Sequence, residues 1–226
     1  MDVILSKIFA SDEDELYILD CLAYLMELPA FLVPLCLVWG TSASKTTHLP
    51  NQLLLAMYFC HYVQRSFIYP FLIRGGKATP FASFALAFVF CVYNGYMQVR
   101  YLSHFADYPA DWVTSPYFIT GSLLWLVGWL VNIHSDHILR NLRKSGETGY
   151  KIPKGGLFDY VSGANFFGEI TEWAGFALAG QSIQGASFSI FTLSVLASRG
   201  FAHHRWYLQK FEDYPKSRKA LVPFIL

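Results

Sequence analysis

Polar side chains that could take part in chemistry occur in five groups, each inside or at the end of a long apolar segment. The groups are Glu27; His61, Tyr62 and Arg65; Asn132, His134 and Asp136; Asn165, Glu169 and Glu172; and Arg199, His203 and Tyr207. An ionisable side chain costs about 3 kcal/mol at the centre of a bilayer unless it is paired or faces a polar cavity. Polar groups concentrated in this way therefore need a common explanation.

Helical spacing places two of these groups on single helix faces. Asn165, Glu169 and Glu172 follow at intervals of four and three residues, and Arg199, His203 and Tyr207 repeat every four. One polar residue in a membrane helix is often only a hydrogen bond between helices. Polar stripes on five helices instead predict a polar cavity inside a helix bundle.

The residue types in this cavity suit a nucleotide. Cations that could neutralise phosphates are Arg143, Lys151 and Arg199. Side chains that could bond ribose hydroxyls or amides are Asp136, Asn165 and Glu169. Neither a GxGxxG motif after a strand nor a Walker A motif is present, which argues against a soluble Rossmann or P-loop domain.

A metal site is the competing use of the same residue types. His134 and His137 are three residues apart, and His203 and His204 are adjacent, as in short histidine boxes. The chain has only seven histidines, and the others lie outside any box. We therefore expect no metal ion.

Composition predicts an all-α, polytopic integral membrane helix bundle. Apolar residues make up 54% of the 226 residues and charged residues only 15%, against about 25% charged in a soluble domain. The net charge of +1 gives no basis for nucleic-acid binding. No linker or repeat divides the chain, so we expect one membrane-embedded domain over residues 1–226, with membrane lipids around it and no protein partner inferred.

Six membrane-spanning helices are expected from the apolar segments. Windows without Asp, Glu, Lys or Arg are Ala78–Val99, Trp112–Ser135 and Trp173–Ser198. The last crosses a predicted turn at Gly180–Gly185, so it begins inside one span and ends inside the next and is not counted separately. Candidates that contain ionisable groups are Leu16–Trp39, Gln52–Ile73, Phe158–Ala179 and Ile183–Leu208.

Loop charges orient these helices. His134–Gly155 and the tail from Arg199 are basic, so both are expected on the cytoplasmic side, as is the short basic loop Arg74–Lys77. Leu102–Asp111 has no Lys or Arg and fits the opposite side. Six spans then place the N-terminus and the nucleotide site on the cytoplasmic side.

Several motifs together resemble the steroid 5α-reductase family. They are Glu27-Leu-Pro29, His61-Tyr62 with Arg65, Asn132-Ile-His-Ser-Asp136, Leu139–Lys144, Gly155-Gly-Leu-Phe158, Tyr160–Phe166, Gly168–Trp173, His203–Tyr207 and Phe211–Ala220. The resemblance runs from about Glu27 to the C-terminus and is densest over the last 95 residues. A run of matches this long is very improbable by chance.

The resemblance implies a helical membrane enzyme that uses NADPH to reduce the C4–C5 double bond of a 3-oxo-4-ene steroid. Glu27 and Tyr62 resemble the pair that binds the steroid 3-ketone. Positions that resemble the family's cofactor site are Asn132, Asp136, Arg143, Asn165, Glu169, Arg199, His203 and Tyr207.

The ketone pair suits this chemistry. Hydride addition at C5 pushes negative charge onto the 3-oxygen, and a Tyr62 hydroxyl that donates a hydrogen bond there stabilises the developing enolate. Glu27 either donates as a neutral carboxyl group or orients Tyr62.

The sequence departs from the family pattern at several places. The family usually has seven spans, but the residues ahead of Glu27 are too few for a further full helix. Met26 stands where the family often has Gln, Lys151 where Arg is common, and Ala202 in place of a His. Membership implies the endoplasmic reticulum in a eukaryote or the inner membrane in a bacterium.

Three alternatives remain open at this stage. A membrane reductase of a polyprenol or an enoyl lipid, and a membrane methyltransferase, share a similar C-terminal layout. The third is a membrane scaffold protein, which gives no reason for so many ionisable groups inside the apolar segments.

Overall fold

A computed structural model of the chain describes residues 26–40, 42, 44–72, 81–143 and 149–226. These residues are helical apart from their connections, and no strand occurs among them, so the predicted all-α class is confirmed for this part of the chain. The chain divides into two compact units, one up to Tyr108 and one from Pro109. The single membrane-embedded domain stays a prediction.

The described residues of the first unit form four α-helices and three shorter turns of helix. The α-helices are α1 (Pro29–Gly40), α2 (Leu49–Val63), α3 (Tyr69–Leu72) and α4 (Phe81–Arg100). The turns are a 3₁₀ turn at Ser44–Thr47 and π turns at Gln64–Ile68 and Tyr101–Phe105.

These helices fall where apolar segments predicted them. The predicted Gln52–Ile73 coincides with α2, its π turn and α3, and Ala78–Val99 coincides with α4. The loop Arg74–Lys77 and the first part of Leu16–Trp39 lie outside the described residues.

Pro70 accounts for the π turn between α2 and α3. A proline ring inside a helix lacks an N–H and collides with the carbonyl four residues earlier, here that of Ser66. The backbone widens instead, and the Tyr69 N–H donates to the Gln64 carbonyl five residues back. The widened turn carries Arg65 and Ser66, which both contact Glu27.

Gly95 lets α1 cross α4 at short range. A Cβ atom at Gly95 would lie 3.2 Å from the Cα of Ala30 and 3.1 Å from the Cδ of Pro34. The Tyr58 hydroxyl of α2 donates to the Ala30 carbonyl at 3.0 Å. Three helices are thus tied together one turn from Glu27.

The second unit consists of three long helices: α5 (Pro116–Arg140), α6 (Ala164–Gly180) and α7 (Ile183–Lys210). Short 3₁₀ turns lie at Trp112–Thr114 and Gly156–Asp159. Ser115 caps α5 by accepting from Phe118 N at 3.1 Å, and Ser182 caps α7 by accepting from Gly185 N at 3.0 Å.

The turn predicted at Gly180–Gly185 is confirmed. Helix α6 ends at Gly180, Gln181 adopts the left-handed conformation with a φ of 42°, and α7 begins at Ile183. A left-handed residue after the last helical turn is a common way to end a helix. The turn makes α6 and α7 antiparallel neighbours.

Glycines bring the backbones of α5 and α6 into contact. A Cβ atom at Gly121 would lie 2.6 Å from the Gly175 carbonyl oxygen, and one at Gly128 would lie 2.6 Å from that of Gly168. A Cβ atom at Gly168 would in turn lie 2.6 Å from Asn132 N. Real Cβ atoms do not approach other atoms this closely, so only glycine fits. A seven-residue spacing keeps each glycine pair on one helix face.

Two helices in the described part of the chain are long and apolar enough to cross a membrane. They are Phe81–Phe105, which joins α4 to its π turn, and α5. Only 28% of each apolar window is buried inside the molecule, whereas the core helix of a soluble protein is mostly buried. The expected six spans stay a prediction; α6 has 17 residues, and α7 is rich in Ser, Gly and His.

The C-terminal segment after α7 lies against the connection that precedes α6. Ser162 N donates to the Lys219 carbonyl at 2.9 Å, Gly163 N to that of Ala220 at 3.0 Å, and Lys219 N to that of Tyr160 at 2.9 Å. The buried Arg218 donates to the Pro153 carbonyl at 2.8 Å. Backbone hydrogen bonds therefore hold this segment in place.

We expect Gly128→Ala to destabilise the second unit. The added methyl group would meet the Glu172 backbone at less than 3.0 Å, and overpacking of this kind costs about 1–3 kcal/mol. The melting temperature in detergent should fall by at least about 3 °C. Gly40→Ala is the control, because a Cβ atom there meets nothing within 4 Å. Equal melting temperatures for both variants would contradict the packing described here.

Candidate functional site

In the first unit, Glu27 is held by a bidentate ion pair. Arg65 donates through Nη2 to Glu27 Oε1 at 2.8 Å and through Nε to Oε2 at 3.1 Å. Both side chains are largely buried, with exposed fractions of 20% and 18%. The Ser66 hydroxyl donates to the Glu27 carbonyl at 3.2 Å, and the Arg65 guanidinium lies 4.6 Å above the Tyr69 ring.

Tyr62 is buried in a cluster of aromatic and amide side chains. Asn94 Nδ2 donates to its hydroxyl oxygen over a long 3.4 Å, and Gln98 Nε2 donates to Asn94 Oδ1 at 3.2 Å. The Tyr58 and His61 rings pack against it, with centroids 4.7 and 4.9 Å away. Packing from several sides fixes the direction of the phenol group.

This geometry separates the two roles open to Glu27. A carboxylate that accepts from both branches of a guanidinium is ionised, because the pairing needs acceptor lone pairs on both oxygens. In this geometry both Glu27 oxygens accept from Arg65, and Tyr62 carries the O–H group of the pair. The arrangement favours the orienting role for Glu27.

In the second unit, Asn132 and Asn165 come together at the α5–α6 contact. Asn132 Nδ2 donates to the Asn165 carbonyl at 3.0 Å, and Asn132 is buried beside Gly168. Asp136 is buried one turn further along α5, and Glu169 lies half-buried one turn along α6. The predicted amide and carboxyl groups therefore share one end of this helix pair.

Helix α7 presents the predicted ladder of Arg199, His203 and Tyr207 in two environments. Arg199 and His203 are exposed, whereas Tyr207 is buried. His203 packs on the Phe166 ring at 5.7 Å, and Tyr207 stacks on Tyr214 at 5.1 Å with ring planes 9° apart. Arg199 and His203 are thus open to a ligand, and the tyrosine is fixed behind them.

The connection after α5 carries the remaining predicted cations. Arg143 and Lys151 are both exposed. Gly156, with a φ of 55°, packs so closely on His134 that a Cβ atom would lie 2.6 Å from its Cε1 atom. His134 therefore supports this connection, and only glycine suits both the backbone angle and the space.

The structure thus forms two polar clusters, one in each unit. The predicted ketone residues, Glu27 and Tyr62, lie in the first unit. The predicted cofactor residues come from α5, α6, α7 and the connection after α5, all in the second unit. Among the described residues, no three His, Cys, Asp or Glu side chains come together as ligands for a metal ion.

Sequence reasoning missed several polar partners. Asn94 and Gln98 are four residues apart in a predicted span, a spacing that could have revealed them. Ser162, His204 and Tyr214 form a hydrogen-bonded group across segments up to 52 residues apart. No local pattern predicts such a group.

Comparison with known proteins identifies the family. A family model described as 3-oxo-5-alpha-steroid 4-dehydrogenase matches residues 77–226, about two thirds of the chain. The chain belongs to this family. The resemblance seen in the sequence motifs is therefore confirmed.

Relatives with this name match most of the chain. The rat 3-oxo-5-alpha-steroid 4-dehydrogenase 1 (Rattus norvegicus) is 61% identical over 203 residues, covering 90% of this chain and 78% of the relative. The human type 1 protein (Homo sapiens) is 57% identical, covering 88% and 77%. The pig type 2 protein (Sus scrofa) is 50% identical, covering 89% and 79%. These names describe oxidoreductases, which confirms the predicted enzyme class.

We expect Glu27 and Arg65 to be energetically coupled. Replacing either partner leaves the other charge largely buried and unpaired. The losses of stability in Glu27→Gln and Arg65→Gln should therefore add up to more than the loss in the double variant. A double-mutant cycle of thermal stability should give a coupling of about 1–3 kcal/mol.

The ion pair Lys45–Asp107 in the same unit is the matched control. Its length is 3.1 Å, but Asp107 is 73% exposed, so its coupling should stay below about 1 kcal/mol. Similar coupling in both pairs would show that Glu27–Arg65 behaves as a surface ion pair.

Proposed function

We propose that this chain uses NADPH to reduce the C4–C5 double bond of 3-oxo-4-ene steroids to the 5α-dihydro product. Membership of the 3-oxo-5-alpha-steroid 4-dehydrogenase family carries the proposal. The overall change adds a hydride to C5 and a proton to C4. Substrate and surrounding lipids are both apolar, which suits an enzyme whose apolar helix faces are exposed.

Tyr62 acts on the steroid 3-oxygen in this proposal. Its hydroxyl donates a hydrogen bond to the oxygen, which becomes more negative as the enolate develops. Asn94 donates to the phenol oxygen and so stabilises the charge that grows there when the phenol proton is shared. The buried ring cluster supports this role, because it keeps the hydroxyl in one direction.

Glu27 is the positioning partner of Tyr62. Arg65 compensates its charge, so no isolated anion faces the oxygen that becomes negative during the reaction. Ser66 fixes the backbone of Glu27 at the same time. The bidentate pair supports this division of roles: Tyr62 donates, and the ion pair holds the surrounding groups in place.

The donor set of the second unit fits NADPH. Exposed cations suited to phosphates are Arg143, Lys151 and Arg199. Groups suited to ribose hydroxyls and the carboxamide are Asn132, Asp136, Asn165, Glu169, His203 and Tyr207. NADPH supplies the hydride when bound. The protein binds and orients it by these side chains.

The proposed location is a membrane with the nucleotide site on the cytoplasmic side, the endoplasmic reticulum in a eukaryotic host and the inner membrane in a bacterial one. Basic residues around α5 and after α7 support this orientation through the positive-inside rule. NADPH is available on that side.

Tyr62→Phe should abolish most of the turnover while leaving NADPH binding nearly intact. The variant keeps the ring packing but removes the hydroxyl, and with it both the proposed hydrogen bond to the 3-oxygen and the long contact from Asn94. Loss of such a donor typically costs about 100-fold or more in rate. Purified protein is given testosterone or progesterone with NADPH, and the 5α-dihydro product is identified by mass spectrometry. Glu27→Gln should also reduce turnover more than NADPH affinity.

Tyr93→Phe is the matched control, because this tyrosine is exposed on α4. Turnover near the wild-type value in both Tyr62→Phe and Glu27→Gln would exclude the ketone site proposed here. If the wild type binds NADPH saturably but forms no steroid product, the substrate is instead another unsaturated lipid.

Arg199→Ala should weaken NADPH binding by about 10- to 150-fold, because a charge-assisted hydrogen bond to phosphate contributes about 1.5–3 kcal/mol. Affinity is measured by titration of detergent-solubilised protein. Arg205→Ala removes another exposed α7 arginine outside the predicted ladder and should leave affinity unchanged. Equal losses in both variants would point to a general charge effect.

A further inference from the structure

The Ser162 hydroxyl is the centre of a compact hydrogen-bonded group in the second unit. Its Oγ lies 2.6 Å from His204 Nδ1, 2.6 Å from the Tyr214 hydroxyl and 3.3 Å from the Lys219 carbonyl. Ser162 and Tyr214 are buried, with 5% and 3% exposed. The first two contacts are at the short end of the range for such hydrogen bonds.

Three partners use the full capacity of this hydroxyl. A serine donates one hydrogen bond and accepts up to two. All three contacts are hydrogen bonds when the serine proton goes to the Lys219 carbonyl and the serine oxygen accepts from the Tyr214 hydroxyl and from a His204 Nδ1–H. The network then joins the connection before α6, the last turns of α7 and the C-terminal segment through a single oxygen atom.

Tyr214 links this network to the proposed cofactor residues. Its ring stacks on Tyr207 with centroids 5.1 Å apart, and His204 follows His203 directly in α7. Ser162 lies three residues before Asn165, the first proposed cofactor residue of α6. Every member of the network is thus adjacent, in sequence or in space, to a residue proposed to hold NADPH.

We propose that Ser162, His204 and Tyr214 are positioning residues that set the orientation of the α6 and α7 cofactor groups. The inference rests on the proposed function, since it assigns the network to the same nucleotide site. Tyr214 holds the ring of Tyr207, and the Ser162–His204 bond fixes the rotation of α7 relative to the start of α6. The network is expected to act on binding and not on the chemical step.

Docking of the C-terminal segment does not depend on this network alone. Three backbone hydrogen bonds and the buried Arg218 hold the segment independently. Removing one hydroxyl should therefore change side-chain orientation without releasing the segment. This separation makes a positioning role distinguishable from a purely structural one.

Tyr214→Phe tests the proposal, because it keeps the stacked ring and removes only the hydroxyl. The Kd for NADPH should rise about 3- to 10-fold, the effect of one lost neutral hydrogen bond. The kcat at saturating NADPH should stay within about twofold of wild type. Ser162→Ala should raise the Kd at least as much, because it also removes the contact with His204. The double variant should be no worse than Ser162→Ala alone, because that variant already lacks the bond to Tyr214. Thermal stability is measured in parallel.

Tyr160→Phe is the matched control, an exposed tyrosine in the same connection whose affinity for NADPH should be unchanged. If Tyr214→Phe does not fold, Ser162→Ala and His204→Ala are measured by the same criteria. A Kd within twofold of wild type, or a fall in kcat or stability without a change in Kd, overturns the positioning role. A wild-type protein that does not bind NADPH overturns the proposed function and this inference together, whereas an unaffected variant overturns the inference alone.

Discussion

The approach of the α5 and α6 backbones at four glycines is the contact on which the polar cluster of the second unit depends. Apolar side chains give little attraction between helices in lipid, so close packing and hydrogen bonds must hold them together. Any side chain at Gly128 or Gly168 would separate the helices and lengthen the 3.0 Å hydrogen bond from Asn132 to the Asn165 carbonyl. The placement of the amide groups therefore depends on the spacing of the glycines.

In the first unit, polar groups are also held in place by close helix packing, but there a proline and a π turn contribute as well as a glycine. Gly95 lets α1 approach α4, and Pro70 forces the π turn that carries Arg65 and Ser66. A largely buried carboxylate is tolerated only with a partner of this quality, since an unpaired charge would cost several kcal/mol. The π turn between α2 and α3 thus supplies the partners that the largely buried Glu27 requires.

Much of the fold could be predicted from the sequence, because the signals are local. Apolar segments located α2, α4, α5, α6 and α7, and the Gly180–Gly185 stretch located the turn between the last two. The polar stripes selected residues that lie within single units, with Glu27 and Tyr62 in the first and the predicted cofactor residues in the second. Pairing was not predictable, because Glu27 and Arg65 are 38 residues apart and the π turn alters which residues face each other. The backbone bonds between Ser162 and Lys219 join segments that no periodic pattern relates.

The ion pair also explains why a tyrosine and not a carboxylic acid would serve the 3-oxygen. Both oxygens of Glu27 accept hydrogen bonds from Arg65, which is the arrangement of an acceptor and not of a donor. The Tyr62 hydroxyl has an O–H group that can donate a hydrogen bond when negative charge develops opposite it. The Glu27–Arg65 pair has no net charge, so it does not oppose that charge. The proposed division of roles therefore places the ion pair and the hydrogen-bond donor on different residues.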